Sequence, residues 1–392
     1  MNKEAGIAEK LWSRNFVMLI LLNFAMFMGF QILMPILPVY ARALGGGETS
    51  AGLVVGIFTI SAVVVRPFIG RALDVFGRKK IFLIGFIFFC LFSLSYTTAS
   101  TVLVLLLLRF FHGFGWGTTS TTANTVASDI IPRSRLGEGM GYFGLTSTLA
   151  MAIAPALGLY MIQQSTFEGV FIFSAAAFLV AMGLSLGIRY PTVQPQPGKG
   201  HLFEKTAFRP ATIVLFLTMS YGSIVTFIAL YAQQQGIANI GPFFTVYALA
   251  LMISRPLFGR LSDRKGLKVV VLPGLVGVIC ALLLLSFAKS LPLFLLAGFL
   301  YGVSFGAAMP ALQAMSVRQV PPHRRGAASA TYSTGFDLGI GLGSISLGSV
   351  AQAVGYSRMY LWAILPILVA LVILILPYNL FSKFIHKTHK EE

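Results

Sequence analysis

Charge is scarce in this 392-residue chain, and negative charge is scarcer still. Only 10% of its residues are charged and 12 are acidic, where a soluble domain carries about 25% charged residues. Set beside an apolar content of 56%, this excludes water as the main solvent of the fold. Cysteine is almost missing: Cys90 and Cys280 each fall inside an apolar stretch, where a thiol behaves as a small hydrophobe, so no disulfide framework is expected. There is no Walker loop and no pair of histidines at helical spacing for zinc, and no polar stretch is long enough for a soluble sensing or nucleic-acid-binding domain. These gaps argue against a membrane-embedded enzyme or receptor. No metal, cofactor or nucleic acid is expected, and the net charge of +17 needs another explanation.

Long apolar runs supply it. Stretches such as 16–37, 81–96, 170–188, 269–288 and 361–376 approach or reach the roughly 20 residues that cross hydrocarbon as a helix. About twelve spans can be placed, at 15–39, 51–69, 81–98, 101–127, 139–163, 169–188, 209–232, 241–259, 269–287, 292–317, 327–351 and 358–379. Sorted by alternate loops, 25 of the 29 Lys and Arg fall on one side. Arg42, Lys289 and Arg358 fall on the other, and Arg109 alone is read as buried in a span. The positive-inside rule then puts both termini in the cytoplasm. The first run follows Lys3, Lys10 and Arg14 and lacks a small-residue cleavage pattern, so it reads as a retained span. The expectation is an all-α, multi-pass protein of the cytoplasmic membrane, working as a monomer in the lipid bilayer.

The polar interruption 189–208, with Pro191, Pro195, Pro197 and Gly198, cannot span and reads as a flexible cytoplasmic linker. It separates a six-helix bundle at 1–188 from another at 209–392. The two halves repeat. Arg66, Pro67, Gly70, Arg71, Asp74 and Gly77 recur 189 residues later as Arg255, Pro256, Gly259, Arg260, Asp263 and Gly266. The same offset carries Gly113 and Gly117 onto Gly302 and Gly306, and Pro132, Arg135 and Gly137 onto Pro321, Arg324 and Gly326. Parallel repeats joined by a central loop suit a carrier that binds at the midplane and rocks one half against the other.

The stretch from Gly70 through Asp74, Gly77 and Arg78 to Lys80, with its weaker copy Gly259, Asp263 and Gly266, resembles the loop signature of the major facilitator superfamily. Arg109, Gly113 and Gly117 are similar to that family's second signature, and Asp129 with Pro132, Arg135 and Gly137 resembles the polar cap of span four. The resemblance covers nearly the whole chain. It implies the major facilitator fold, with a relay of Asp74, Arg78 and Asp129 gating the cytoplasmic side. The second half departs from the pattern, with Leu267 at the place of Arg78 and Arg318 at the place of Asp129, so its latch is expected to be weaker. Gly141, Ala150, Ala154, Pro155 and Gly158 loosely match the span-five pattern of the family's proton antiporters. Small residues there permit close helix approach and a proline bend, and ordinary helix packing would ask for the same residues.

Ionisable groups within a bilayer cost about 2.5–3.5 kcal/mol or more each at a helix centre and are functional candidates by default. Among the acids only Asp337 lies well inside a span, between Gly335, Gly339, Gly341 and Gly343. A carboxyl group that meets water on one side at a time can load a proton on one face and release it on the other, which makes Asp337 the candidate coupling site. The alternative is a structural partner for an arginine or a backbone group. Arg109 either pairs with Asp337 in one state or satisfies carbonyls within its own half. His112, one helical turn on, is a proton relay or a hydrogen-bonded packing residue.

Asn23, Gln31, Phe30, Asn124, Tyr221, Thr226, Phe227 and Gln313 are the candidates for a substrate cavity, which wants apolar walls and a few polar groups. Span one has no acid, which lowers the expectation of a strongly cation-selective site. The resulting expectation is a proton-coupled secondary transporter of the drug and sugar antiporter type that exports drug-like or small metabolite solutes. The alternative is a proton-coupled importer of a small metabolite.

Overall fold

The computed structural model describes residues 10–132, 135–164, 166–190, 204–318, 320 and 325–376; within the helices, the side chains of Asp74, Leu136, Gly137, Asp263, Val317 and residues 325–327 lie outside the description. The helices are α1 (Arg14–Ala43), α2 (Glu48–Phe76), α3 (Arg78–Ser95), α4 (Val102–Ile130), α5 (Leu136–Gln164), α6 (Phe167–Leu186), α7 (Phe208–Gln234), α8 (Gly241–Lys265), α9 (Leu267–Ser286), α10 (Leu291–Val317), α11 (Arg325–Val354), α12 (Tyr356–Trp362) and α13 (Ile364–Ile375). Among the described residues, eleven segments are long and apolar enough to cross a membrane, α12 and α13 together counting as one. The twelfth, α11, has 30 residues but is rich in Gly and Ser. Helices are what such a sequence must form in hydrocarbon, because every backbone polar group has to be satisfied within its own segment.

Local chemistry sets the helix ends. Ser13 accepts the Phe16 amide at the start of α1, and Thr101 accepts that of Val104 at the start of α4, each relieving an unpaired N–H of a first turn. Gly77 and Gly266, equivalent in the repeat, join α2 to α3 and α8 to α9 at φ 82° and 92°, a conformation that a side chain resists. The span expected at 358–379 is broken at Ala363. Pro366 has no N–H to donate and crowds the carbonyl four residues back, at Trp362.

Large apolar side chains such as Phe68, Leu103, Ile172, Phe287 and Ile375 are exposed on the outside of the bundle, a pattern that suits lipid. Two faces can be told apart. The basic face carries the helix ends at Arg14, Arg78 to Lys80, Lys265 and Lys268, and the opposite face carries Arg42, Glu48 and Gln164.

Packing repeats as the sequence does. In the first half α1 lies on α5 and α6, α2 on α4, and α3 on α4 and α6; in the second α7 lies on α11 and α13, α8 on α10, and α9 on α10, α12 and α13. Between the halves, α2 meets α11 and α8 meets α5. Those two seams are the same seam twice. Near the opposite face Thr49 Oγ1 donates to Gln352 Oε1 at 2.5 Å, and at the equivalent positions Gln163 donates to the Ala238 carbonyl. One layer deeper, a Cβ on Gly56 would stand 2.9 Å from the Gly341 carbonyl oxygen, and at the equivalent positions Thr245 Oγ1 donates to the Ala152 carbonyl at 3.1 Å. The halves are thus bonded at the opposite face. Toward the basic face, Gly70, Gly141, Gly144 and Gly259 have no atom within 4 Å of where a Cβ would stand.

Candidate functional site

The third layer of the double seam carries the charge. Arg66 of α2 lies 2.6 Å, Nη1 to Oδ2, from Asp337 of α11, with side chains 23% and 14% exposed. The contact is a charge pair without hydrogen-bond alignment, since Asp337 Oδ2 and Arg66 Nε make no hydrogen bond. Arg66 Nη2 reaches Ser120 Oγ of α4 at a marginal 3.5 Å. Pro67, next in sequence, leaves the Val63 carbonyl without its usual donor, so α2 is free to bend at this level. At the equivalent layer Arg255 of α8 donates from Nη1 to Thr148 Oγ1 of α5 at 2.9 Å.

Arg66 corrects the expectation that Arg109 is the one basic residue within a span. The span read as 51–69 is α2 running to Phe76, so Arg66 stands ten residues from the helix end, about 15 Å along its axis. Arg255 is equally internal to α8. Arg209, read as cytoplasmic, is buried in the first turn of α7 and donates to the Ile373, Leu374 and Leu376 carbonyls at the end of α13.

Arg109 does not pair with Asp337 in this structure. It is 1% exposed, donates from Nε to the Val54 carbonyl at 2.9 Å and from Nη1 to the Tyr96 hydroxyl at 3.4 Å, and lies 3.8 Å over the Phe58 ring. Its cation is held inside the first half by a carbonyl dipole, a phenol and a ring face. His112 is equally enclosed, 2.5 Å from Tyr96 Oη and 3.4 Å from Ser93 Oγ, with its ring against Phe89.

At the basic face Arg78, the first residue of α3, donates from Nε to Asp129 Oδ2 at 3.0 Å and from Nη1 to the Leu73 carbonyl at 3.0 Å. One guanidinium therefore ties the end of α2, the start of α3 and the end of α4. The side chains of Asp74 and Asp263, the other gating candidates, lie outside the description, as do Pro321 and Arg324 of the second span-four cap; Gly137 and Gly326 fall in the first turns of α5 and α11. In the second half Leu267 opens α9 and Arg318 is exposed after α10.

A cavity of about 410 Å³ opens between α1, α4, α5 and α10 on the basic-face side of the seam. Three cavity candidates line it: Asn23, Asn124 and Gln313. Asn23 donates to the Phe143 carbonyl and Thr146 Oγ1, leaving its Oδ1 without a partner. Gly141 and Gly144 also line it, so Gly141 opens space instead of packing helices as expected, whereas Gly158 brings α5 onto Ile32 of α1. Ala150, Ala154 and Pro155 are buried. Phe30 stacks on Trp116 at 3.8 Å, and Gln31 is buried in α1. Tyr221 stacks on Phe305 and reaches Met151 Sδ of the other half at 3.2 Å. Thr226 and Phe227 lie elsewhere: Thr226 donates to Ser344 Oγ, and Phe227 is buried against Tyr356 near the opposite face. This corrects their placement as cavity residues.

The family comparison agrees with the geometry. The sequence model of the Major Facilitator Superfamily matches residues 19–244 and 237–382, and the chain belongs to that family. An uncharacterized MFS-type transporter of Methanocaldococcus jannaschii is 25% identical over 375 residues, covering 92% of this chain and 97% of its own. The uncharacterized MFS-type transporter YhhS of Escherichia coli is 28% identical over 370 residues, 91% of each chain. Among solved structures, a mutant of the nucleoside transporter NupG superposes with a TM-score of 0.78 at 15% identity, over 92% of this chain and 98% of its own. A bacterial homolog of the human lysosomal transporter Spinster, inward-facing and occupied, superposes at 0.76 and 16% identity, over 92% and 95%. The protein is a multi-pass membrane protein of the MFS transporter type.

Proposed function

We propose that the protein is a proton-coupled antiporter of the cytoplasmic membrane, both termini cytoplasmic, that exports drug-like or small metabolite solutes by alternating access as a monomer. The observation that carries the reading is the Arg66–Asp337 pair, which joins two helices from different halves at the level where the halves begin to part. A guanidinium stays charged at any physiological pH, so Asp337 is the member able to change. Ionised, it attracts Arg66 and holds α2 against α11. Protonated, it releases Arg66, whose remaining neighbour is the distant Ser120 hydroxyl, and the seam loses its charge pair.

In this reading the conformation seen, bonded at the opposite face and open toward the basic face, is the cytoplasm-facing state. The three helix ends tied by Arg78 belong to the gate, with Asp74 added from the loop signature. Export is supported by the small residues around Pro155, and the absence of any acid in α1 argues against a strongly cation-selective site. Arg109 and His112 stabilise the first half, and proton exchange falls to Asp337.

The test is a screen of radiolabelled solutes in proteoliposomes with an imposed pH gradient, repeated for Asp337→Asn. Concentration of a solute driven by the gradient in the parent, and only equilibration in the variant, is the expected result. Gradient-driven concentration by the variant would remove Asp337 from the coupling. Accumulation in the direction of proton entry would make the protein an importer.

A further inference from the structure

The two seams are equivalent in position but not in charge. Arg66 faces Asp337, whereas its counterpart Arg255 faces Thr148 at the place equivalent to Asp337. At this layer the α5–α8 seam therefore has the cation without the anion. Arg255 Nε is buried and makes no hydrogen bond, and among the described residues no carboxylate pairs with this guanidinium. The groups within reach of its charge are the phenols of Tyr247, Tyr332 and Tyr221. The Tyr247 hydroxyl is buried without a hydrogen bond of normal geometry, and the Tyr221 hydroxyl rests on a thioether, a weak acceptor. The Tyr332 hydroxyl donates to the Met309 carbonyl at 3.1 Å; the remaining phenols and the cation converge on a place whose acceptors are the Thr148 hydroxyl and a thioether. Thr148 and Met151 come from the first half; Tyr221, Tyr247 and Arg255 come from the second. Ser147, beside Thr148, lines the cavity.

We propose that this layer binds a carboxylate of the transported solute, Arg255 supplying the charge and the Tyr247 hydroxyl a further donor. The inference rests on the transport reading above and names its substrate class. A guanidinium and a carboxylate match in charge and can pair through two parallel bonds; a phosphate dianion would ask for a second cation, and the site has one. The solute's carboxylate then stands where the protein's own carboxylate stands in the other seam. The solute would then join α5 to α8 as Asp337 joins α2 to α11.

The test uses the full chain purified in detergent at fixed pH and ionic strength, with three acids and their amides as probes: benzoate and benzamide, nicotinate and nicotinamide, indole-3-acetate and indole-3-acetamide. At least one acid, at about 5 mM, is expected to raise the unfolding midpoint by about 2 °C while its amide does not. Arg255→Gln is expected to remove the shift. Thr148→Asp, which fills the place from within, is expected to remove it while leaving the unliganded protein at least as stable as the parent. A shift equal for acid and amide, a shift that survives Arg255→Gln, or no shift with any of the three acids would overturn the proposal. No gradient or flux is involved, so failure here leaves proton coupling at Asp337 standing, and loss of coupling in the proteoliposome screen leaves carboxylate binding standing.

Discussion

Arg66 and Asp337 meet at 2.6 Å across the two halves of the protein, and the residues related to them by the 189-residue repeat, Arg255 and Thr148, meet at 2.9 Å. One geometry thus occurs twice with different chemistry. Because, among the described residues, only the α2–α11 seam holds a carboxylate at this layer, the proposed response to protons falls on one of the two seams. A symmetric pair of carboxylates would let protonation loosen both seams together. A single one biases α2 against α11 and leaves α5 against α8 for something else to bias.

The opposite-face bonds hold the conformation seen here. Replacing Gln352 by Ala removes the bond from Thr49, and replacing Gln163 by Ala removes the donor to Ala238. Each is expected to cost about 0.5–1.5 kcal/mol of this state relative to the one open at that face. The double variant should make a cysteine introduced at Ser344 several-fold faster to label with a membrane-impermeant maleimide, in a background without Cys90 and Cys280. Unchanged labelling would show that these bonds do not hold the face shut.

Gly113 of α4 sits where a Cβ would collide with the Phe58 carbonyl and Ser61 of α2, and Gly302 of α10 repeats this against Tyr247 and Ala250 of α8. Gly113→Ala and Gly302→Ala should each cost about 1–3 kcal/mol through forced separation of the helices, read as a lower unfolding midpoint in detergent. Gly144→Ala, at a place with nothing within 4 Å, should leave the midpoint within error. Equal effects at all three positions would contradict the packing described.

Much of this architecture was legible in the residues. Twelve apolar runs and a gap-free repeat are strong signals, because hydrocarbon demands length and apolarity and a duplicated half keeps its register. Asp337 stood out as an acid in an otherwise acid-free interior. Its partner did not. Arg66 sits three residues before the end of the apolar run, and hydropathy cannot show that α2 continues to Phe76 through a charged stretch. A further signal is present: the repeat that sets Arg255 on Arg66, carried into α5 and α11, also sets Thr148 on Asp337. Thr226 and Phe227 were misplaced because rotation about a helix axis is set by the neighbours, and α7 is buried nearly all round.

The Arg78–Asp129 bond ties α3 to the end of α4 at 3.0 Å, while Arg78 also holds the end of α2 through Leu73. Asp129→Asn should cost about 1 kcal/mol locally and speed amide hydrogen exchange in the first turn of α3, with Arg78→Ala having the larger effect because it cuts both ties. Equal exchange in the parent and Arg78→Ala would remove the pair from the gate.

His112 is sealed among Ser93, Tyr96 and Phe89. His112→Gln should lower the unfolding midpoint, at a cost of about 1–3 kcal/mol for buried groups left unpaired, yet leave the pH dependence of the conformational change intact. Loss of that dependence would restore His112 to the proton path.

The most direct measurement is the separation of the halves as a function of pH. Nitroxide labels at Ser128→Cys and Arg318→Cys, both exposed at the basic-face ends of α4 and α10, would report it by electron–electron double resonance in the background without Cys90 and Cys280. As pH falls, Asp337 takes up its proton, the attraction to Arg66 is lost, and the population open at the basic face declines. As the pH is lowered the parent's distance distribution should shift toward shorter values, each tenfold change in population corresponding to about 1.4 kcal/mol. Asp337→Asn should give one pH-independent distribution. The same pH-dependent shift in Asp337→Asn would contradict the account.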